Sequence, residues 1–158
     1  MLPATTLVNN CYSYMFSGCT SLTKTPELPA TTLANYCYSY MFYNCTALTT
    51  VSELPATVVK NYCYDSMFYG CTSLTTAPEL PATTLTSGNS CYQYMFSGCT
   101  SLNYIKAMFT TTPSNTYTQN WVYNVSSTGT FVKNANATWT TTGTNGVPTG
   151  WTVETATP

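Results

Sequence analysis

The chain has 158 residues, room for one domain or one repeat array with a terminal unit, and too few for a catalytic domain beside it. Its formal charges are Lys24, Lys60, Lys106 and Lys133 against Glu27, Glu53, Asp65, Glu79 and Glu154, a net charge of -1 with neither arginine nor histidine. No cation cluster is available for nucleic acid phosphates or for an anionic membrane surface, and no imidazole for a Ser-His-Asp or Cys-His centre. Apolar residues make up 44% of the chain and aromatic ones 15%, so a packed core is within reach despite the low charge.

Met1 is followed at once by repeat sequence, with no basic stretch leading into an apolar one, so no signal peptide is expected in this segment. No run approaches the ~20 apolar residues that a membrane-crossing helix needs, and no membrane insertion by this segment is expected.

A Leu-Pro-Ala-Thr block then recurs at Leu2, Leu28, Leu54 and Leu80, with a constant spacing of 26 residues. Each unit continues through a variable stretch into the pattern Cys-Tyr-x-x-Met-Phe-x-x-Cys-Thr-x-Leu. The fourth unit carries two extra residues within 86–90, where the copies already differ and a surface loop belongs.

Within the second unit, Leu33, Cys37 and Met41 stand at i, i+4 and i+8, which predicts a short helix over about 32–42. Gly18, Asn44, Gly70 and Gly98 follow and suit a left-handed C-cap. The Cys-Thr-x-Leu segment reads as a short strand that ends at the proline of the next block. The predicted fold is an α+β solenoid: a leucine-rich-repeat-type array of four 26-residue coils, each a short strand plus a short helix.

A lone coil cannot bury its apolar face, so the coils must stack and put equivalent residues in rows. The expected core rows are Leu7/Leu33/Val59/Leu85, Cys11/Cys37/Cys63/Cys91, Met15/Met41/Met67/Met95, Phe16/Phe42/Phe68/Phe96, Cys19/Cys45/Cys71/Cys99 and Leu22/Leu48/Leu74/Leu102. The expected organisation is repeats over 1–105 and a β-rich C-terminal cap over 106–158, with strands at 129–133 and 150–154.

The unit Cys-Tyr-Ser-Tyr-Met-Phe-Ser-Gly-Cys-Thr-Ser-Leu of 11–22 resembles the leucine-rich repeats of BspA-type bacterial surface proteins, and the likeness recurs four times up to about residue 105. The chain departs from that pattern by placing Cys11 and its equivalents where the family has isoleucine, and by a longer period. The resemblance, which extends to gut bacterial and phage-associated proteins, implies a secreted or cell-surface location. It implies adhesion to a host or bacterial surface protein or to a glycan, with no enzymatic activity and no cofactor. A structural spacer in a longer surface or phage tail protein, without a ligand of its own, is the alternative.

The eight cysteines are expected to be free, buried thiols, because both cysteine columns fall in core positions. Glu27, Glu53 and Glu79 form one acidic column, expected to be solvated, and are the candidates should a cation such as calcium bridge neighbours. Tyrosine is the more informative residue. On a helical wheel Tyr36 and Tyr43 share one flank, and Tyr62 and Tyr69 hold the equivalent places in the third unit. Asn10, Ser17, Ser90 and Ser97 take those places elsewhere, so Tyr36, Tyr43, Tyr62 and Tyr69 are the candidate ligand-binding patch.

Overall fold

The computed structural model describes residues 2–157, and among them there is no helix. The expected α+β solenoid is therefore corrected: the segments read as helices are ribbons of consecutive tight turns. From Tyr36 to Cys45 the amide groups alternate between two destinations. Those of Tyr36, Tyr38, Tyr40, Phe42 and Asn44 donate to Asn61, Cys63, Asp65, Met67 and Tyr69 of the next coil at 2.7–3.0 Å. Those of Ser39, Met41, Tyr43 and Cys45 donate three residues back, to Tyr36, Tyr38, Tyr40 and Phe42.

A right-handed helix would send all of these amides four residues back within one coil. Here every fourth residue turns left-handed instead, at φ 58° for Tyr36, 57° for Tyr40 and 55° for Asn44. The other coils repeat the pattern at Asn10, Tyr14 and Gly18, at Tyr62, Ser66 and Gly70, and at Ser90, Tyr94 and Gly98. The glycines and Asn44 are left-handed as the sequence suggests, but as members of a four-residue rhythm and not as helix ends. Hydrogen bonds between coils, alternating with bonds three residues back along each coil, complete the backbone.

The strand expected in each repeat is also replaced. Along that side of the coils only isolated parallel bridges form, Lys24 with Thr50 and Thr76 with Tyr104. Continuous strands appear from the end of the fourth unit onward: β1 (Tyr104–Ala107), β2 (Thr130–Lys133) and β3 (Thr152–Thr155), paired in parallel in the order β1-β2-β3. In register, Ile105 lies beside Phe131 and Phe131 beside Val153. Two of these strands lie within two residues of the segments expected at 129–133 and 150–154.

The rows of equivalent residues form the core. In the second to fourth coils Leu33, Cys37, Met41, Phe42, Cys45 and Leu48 and their counterparts are buried. Phe16, Phe42, Phe68 and Phe96 stack in series with ring centroids 5.5, 5.6 and 5.9 Å apart, and Tyr12, Tyr38, Tyr64 and Tyr92 run beside them at 5.9, 5.9 and 5.8 Å. The first coil has described neighbours on one side only: Cys11, Met15 and Cys19 are exposed, and Phe16 and Leu22 half-buried.

Beyond the fourth coil the stack continues, with Tyr92, Tyr94, Phe96 and Gly98 donating to Tyr117, Gln119, Trp121 and Tyr123. Trp121 closes the aromatic rows from below, fully buried among Tyr92, Phe96, Phe109 and Phe131. Its Nε1 donates to the Gly146 carbonyl at 3.0 Å, so the indole is satisfied as well as packed. Gly129 leads into β2 because a Cβ there would fall 2.5 Å from the Asn103 carbonyl oxygen and 2.7 Å from the Trp151 ring.

One core group is not satisfied. The Tyr38 hydroxyl is buried and has no hydrogen-bond partner. An orphaned buried hydroxyl costs about 1–3 kcal/mol, so Tyr38→Phe is expected to stabilise the fold by an amount within that range. Urea denaturation reads this directly; an unchanged or lowered midpoint would contradict the assignment.

Candidate functional site

The helical-wheel reason for grouping the four tyrosines does not survive the absence of the helix, yet their rings meet in pairs. Tyr36 stacks on Tyr62 at 4.7 Å and 4°, and Tyr43 on Tyr69 at 4.8 Å and 11°. Parallel rows follow from the stacking of coils, since equivalent positions in neighbouring coils lie about 4.8 Å apart. Tyr36 is 40% exposed and the other three are half-buried.

The sequence reading passed over Tyr14 and Tyr40, which the structure adds to this surface. Tyr14 stacks on Tyr40 at 4.7 Å, and Tyr40 leans on Tyr43 at 5.5 Å, so Tyr14, Tyr40, Tyr43 and Tyr69 form a continuous run of rings across three coils. The signal was present in the alignment of units, where Tyr14, Tyr40 and Tyr94 share one column and Ser66 interrupts it. Beside that interruption Asp65 is buried, with Ser66 Oγ donating to its Oδ1 at 3.0 Å. Burial pushes the Asp65 carboxyl up to about 6, against the opposing pull of the Ser66 hydroxyl bond.

Six of the eight cysteines, Cys37, Cys45, Cys63, Cys71, Cys91 and Cys99, are free and buried, while Cys11 and Cys19 are free and exposed. The second cysteine column hydrogen-bonds back across the coils: Cys45 to the Phe16 carbonyl at 3.1 Å, Cys71 to Phe42 at 3.2 Å and Cys99 to Phe68 at 3.0 Å. Burial raises all six pKa values, so these groups stay as thiols. Among the described residues no group of three or more His, Cys, Asp or Glu is placed to hold a metal ion.

The acidic column borders a second surface. A groove of about 490 Å3 is lined by Lys24, Glu27, Pro29, Ser52, Glu53 and Pro55 among others, and Glu53 also borders a further hollow of about 270 Å3 with Glu79 and Pro81. Glu79 is engaged by Lys106 at 2.9 Å, the only ion pair among the described residues.

A chain wound into stacked coils of one recurring unit, with aromatic rows on its surface, belongs to the class of repeat proteins. It is a member of the BspA type leucine rich repeat region family, whose model matches residues 3–122 in 6 copies. Neither the curated proteins nor the solved structures contain a match to the chain.

Proposed function

We propose that this chain is a non-enzymatic recognition module of a bacterial surface protein, binding a host or bacterial surface protein or a glycan through its tyrosine rows. The observation that carries this reading is the conformation of Tyr36 and Tyr62. Both are left-handed, at φ 58° and 55°, a backbone state that costs a side-chain-bearing residue about 1–2 kcal/mol. Asn10 and Ser90 hold the same position in the first and fourth coils, so the turn itself does not require a ring. Tyr36 stacks on Tyr62 yet keeps 40% of its surface exposed, which leaves ring surface open to a partner. Large rigid rings with polar tips, kept at the surface at a conformational cost, suit contact with a partner.

Membership of the repeat family supports an interaction role and a surface location. The lack of histidine and the repeating surface weigh against catalysis.

The test is a screen of the purified protein on a glycan array and on immobilised extracellular-matrix proteins, beside the variant carrying Tyr36→Ser, Tyr43→Ser, Tyr62→Ser and Tyr69→Ser. Serine is native at the equivalent positions 17, 90 and 97, so the variant is expected to fold. A partner lost in the variant supports the reading. Partners retained unchanged by the variant overturn the tyrosine rows as the binding surface, and no partner on either surface turns the assignment toward a spacer.

A further inference from the structure

The two ends of the stack are unlike. Past the last row of rings the outward amides are engaged, that of Asn120 by Asn145 Oδ1 at 2.7 Å and that of Val122 by the Thr144 carbonyl at 3.3 Å. The first coil is open instead. One coil further on, the carbonyls of Asn35, Cys37, Ser39, Met41 and Tyr43 accept the amides of Asn10, Tyr12, Tyr14, Phe16 and Gly18 at 2.7–3.1 Å. The equivalent carbonyls of the first coil, those of Asn9, Cys11, Ser13, Met15 and Ser17, accept from none of the described residues.

Two donors on the same coil are unmatched in the same way. Cys45, Cys71 and Cys99 each donate a thiol hydrogen bond to a phenylalanine carbonyl of the preceding coil at 3.0–3.2 Å, and Cys19 has no such acceptor among the described residues. The amides of Asn35, Asn61 and Asn89 each donate to an asparagine side-chain oxygen one coil earlier at 2.9–3.2 Å. Asn9 heads that ladder, and its own amide has no acceptor among the described residues. Between these polar groups the coil is apolar. Met15 is 51% exposed and Cys11 and Cys19 are exposed, whereas Met41, Cys37 and Cys45 hold the same places one coil on and are fully buried.

We infer that the open face of the first coil docks a further coil of the same repeat type, carried by another polypeptide chain. The face is one half of the interface that joins each coil to the next, and the other half is specified group by group. Amides at alternate positions of a turn ribbon meet the five carbonyls, an asparagine side-chain oxygen meets the Asn9 amide, and a phenylalanine carbonyl meets the Cys19 thiol. Main-chain pairing along the open edge supplies affinity, as where a strand is added to a sheet edge, and the apolar rows around Met15 supply specificity. A second copy of this chain is the poorer partner. Face to face, two rows of carbonyls meet with no donor between them. Head to tail, the amides of the far end are already held by Asn145 and Thr144.

The probe is an acetylated and amidated peptide of residues 28–53, with Cys37→Ala and Cys45→Ala so that it carries no thiol, added to the whole protein. The readout is the rate at which Cys11 and Cys19 react with a chromogenic disulfide reagent. Saturating peptide is expected to slow both thiols about tenfold or more, because a docked coil buries them as Cys37 and Cys45 are buried. The same peptide N-methylated at Tyr38 and Phe42 keeps every side chain and loses two of the donors, and it is expected to give no protection. Met15→Lys places a charge on the face and is expected to abolish protection by the first peptide. Met15 is exposed, and an unchanged circular dichroism spectrum identifies a folded variant. No protection, equal protection by the N-methylated peptide, or full protection in Met15→Lys overturns the inference. Thiols that become shielded as the protein alone is concentrated make a second copy the occupant and overturn it too. So does a variant with residues 28–53 duplicated ahead of Leu2 whose thiols are shielded where the free peptide fails, since the face then accepts only a coil of its own chain.

Discussion

Phe68→Ala is expected to destabilise the fold by about 3–5 kcal/mol, the range for truncating a fully buried aromatic ring. Phe68 is 1% exposed and lies between Phe42 and Phe96, with ring centroids at 5.6 and 5.9 Å. Its loss opens a void with rings on both sides, and the coils cannot close over it without breaking their own hydrogen bonds. The amide of Phe68 donates to Met95 and its carbonyl accepts from Cys71, which ties the backbone at that point both across and along the coil.

Phe16→Ala is the internal control. Phe16 is half-buried and stacks on Phe42 alone, at 5.5 Å, so its truncation is expected to cost less than about half as much. Urea denaturation followed by tryptophan fluorescence gives both values. Equal losses at the two sites would mean that the local turn, rather than the stacking of coils, sets the stability.

This dependence on neighbours explains which parts of the fold are legible in the sequence. The period of 26 and the rows of core residues can be read directly, because stacking puts the same demand on each coil. The path of the chain within a coil is harder to read. Leu33, Cys37, Met41 and Cys45 are spaced by four residues each time, and all are buried. An α-helix turns 100° per residue, so three such steps would carry Cys45 about 120° away from Leu33. Strict fourfold spacing is therefore the mark of a four-residue turn. Three members of the column fit a helix nearly as well, which is why the sequence suggests one.

Propensity offers no correction, since tyrosine at Tyr36, Tyr40, Tyr62 and Tyr94 is a poor guide to a left-handed backbone. Only glycine and asparagine announce that conformation, at Gly18, Asn44, Gly70 and Gly98. The candidate surfaces are legible to a similar degree. Columns of equivalent residues disclose the pairs Tyr36 with Tyr62 and Tyr43 with Tyr69. The contact of Tyr40 with Tyr43 depends on the fold of the ribbon. The pairing of Glu79 with Lys106 crosses a spacing of 27 and so falls outside the repeat.

A transition to the unfolded state is expected as pH rises from about 9 to about 11, driven chiefly by the buried thiols. Burial pushes Cys37 and Cys45 up from the ordinary value of 9.0 to about 11, and Cys91 and Cys99 up to about 12. Cys63 and Cys71 move in the same direction for the same reason. Below pH 9 all six are protonated in both folded and unfolded chains and favour neither. Above it the unfolded chain releases protons that the folded chain retains, so stability falls continuously toward the folded values. Each tenfold displacement of an ionisation equilibrium is worth about 1.4 kcal/mol, and several thiols displaced in the same direction act together against a domain stability of only about 5–15 kcal/mol. Buried Tyr64 and Tyr92, also raised by desolvation, push the same way. The thiols should therefore ionise by unfolding rather than in place. At about pH 8 a chromogenic disulfide reagent is expected to count two thiols, exposed Cys11 and Cys19, and after alkaline unfolding all eight. Eight fast thiols in a natively fluorescent protein would contradict the buried cysteine rows, and a fold intact at pH 12 would contradict their desolvation.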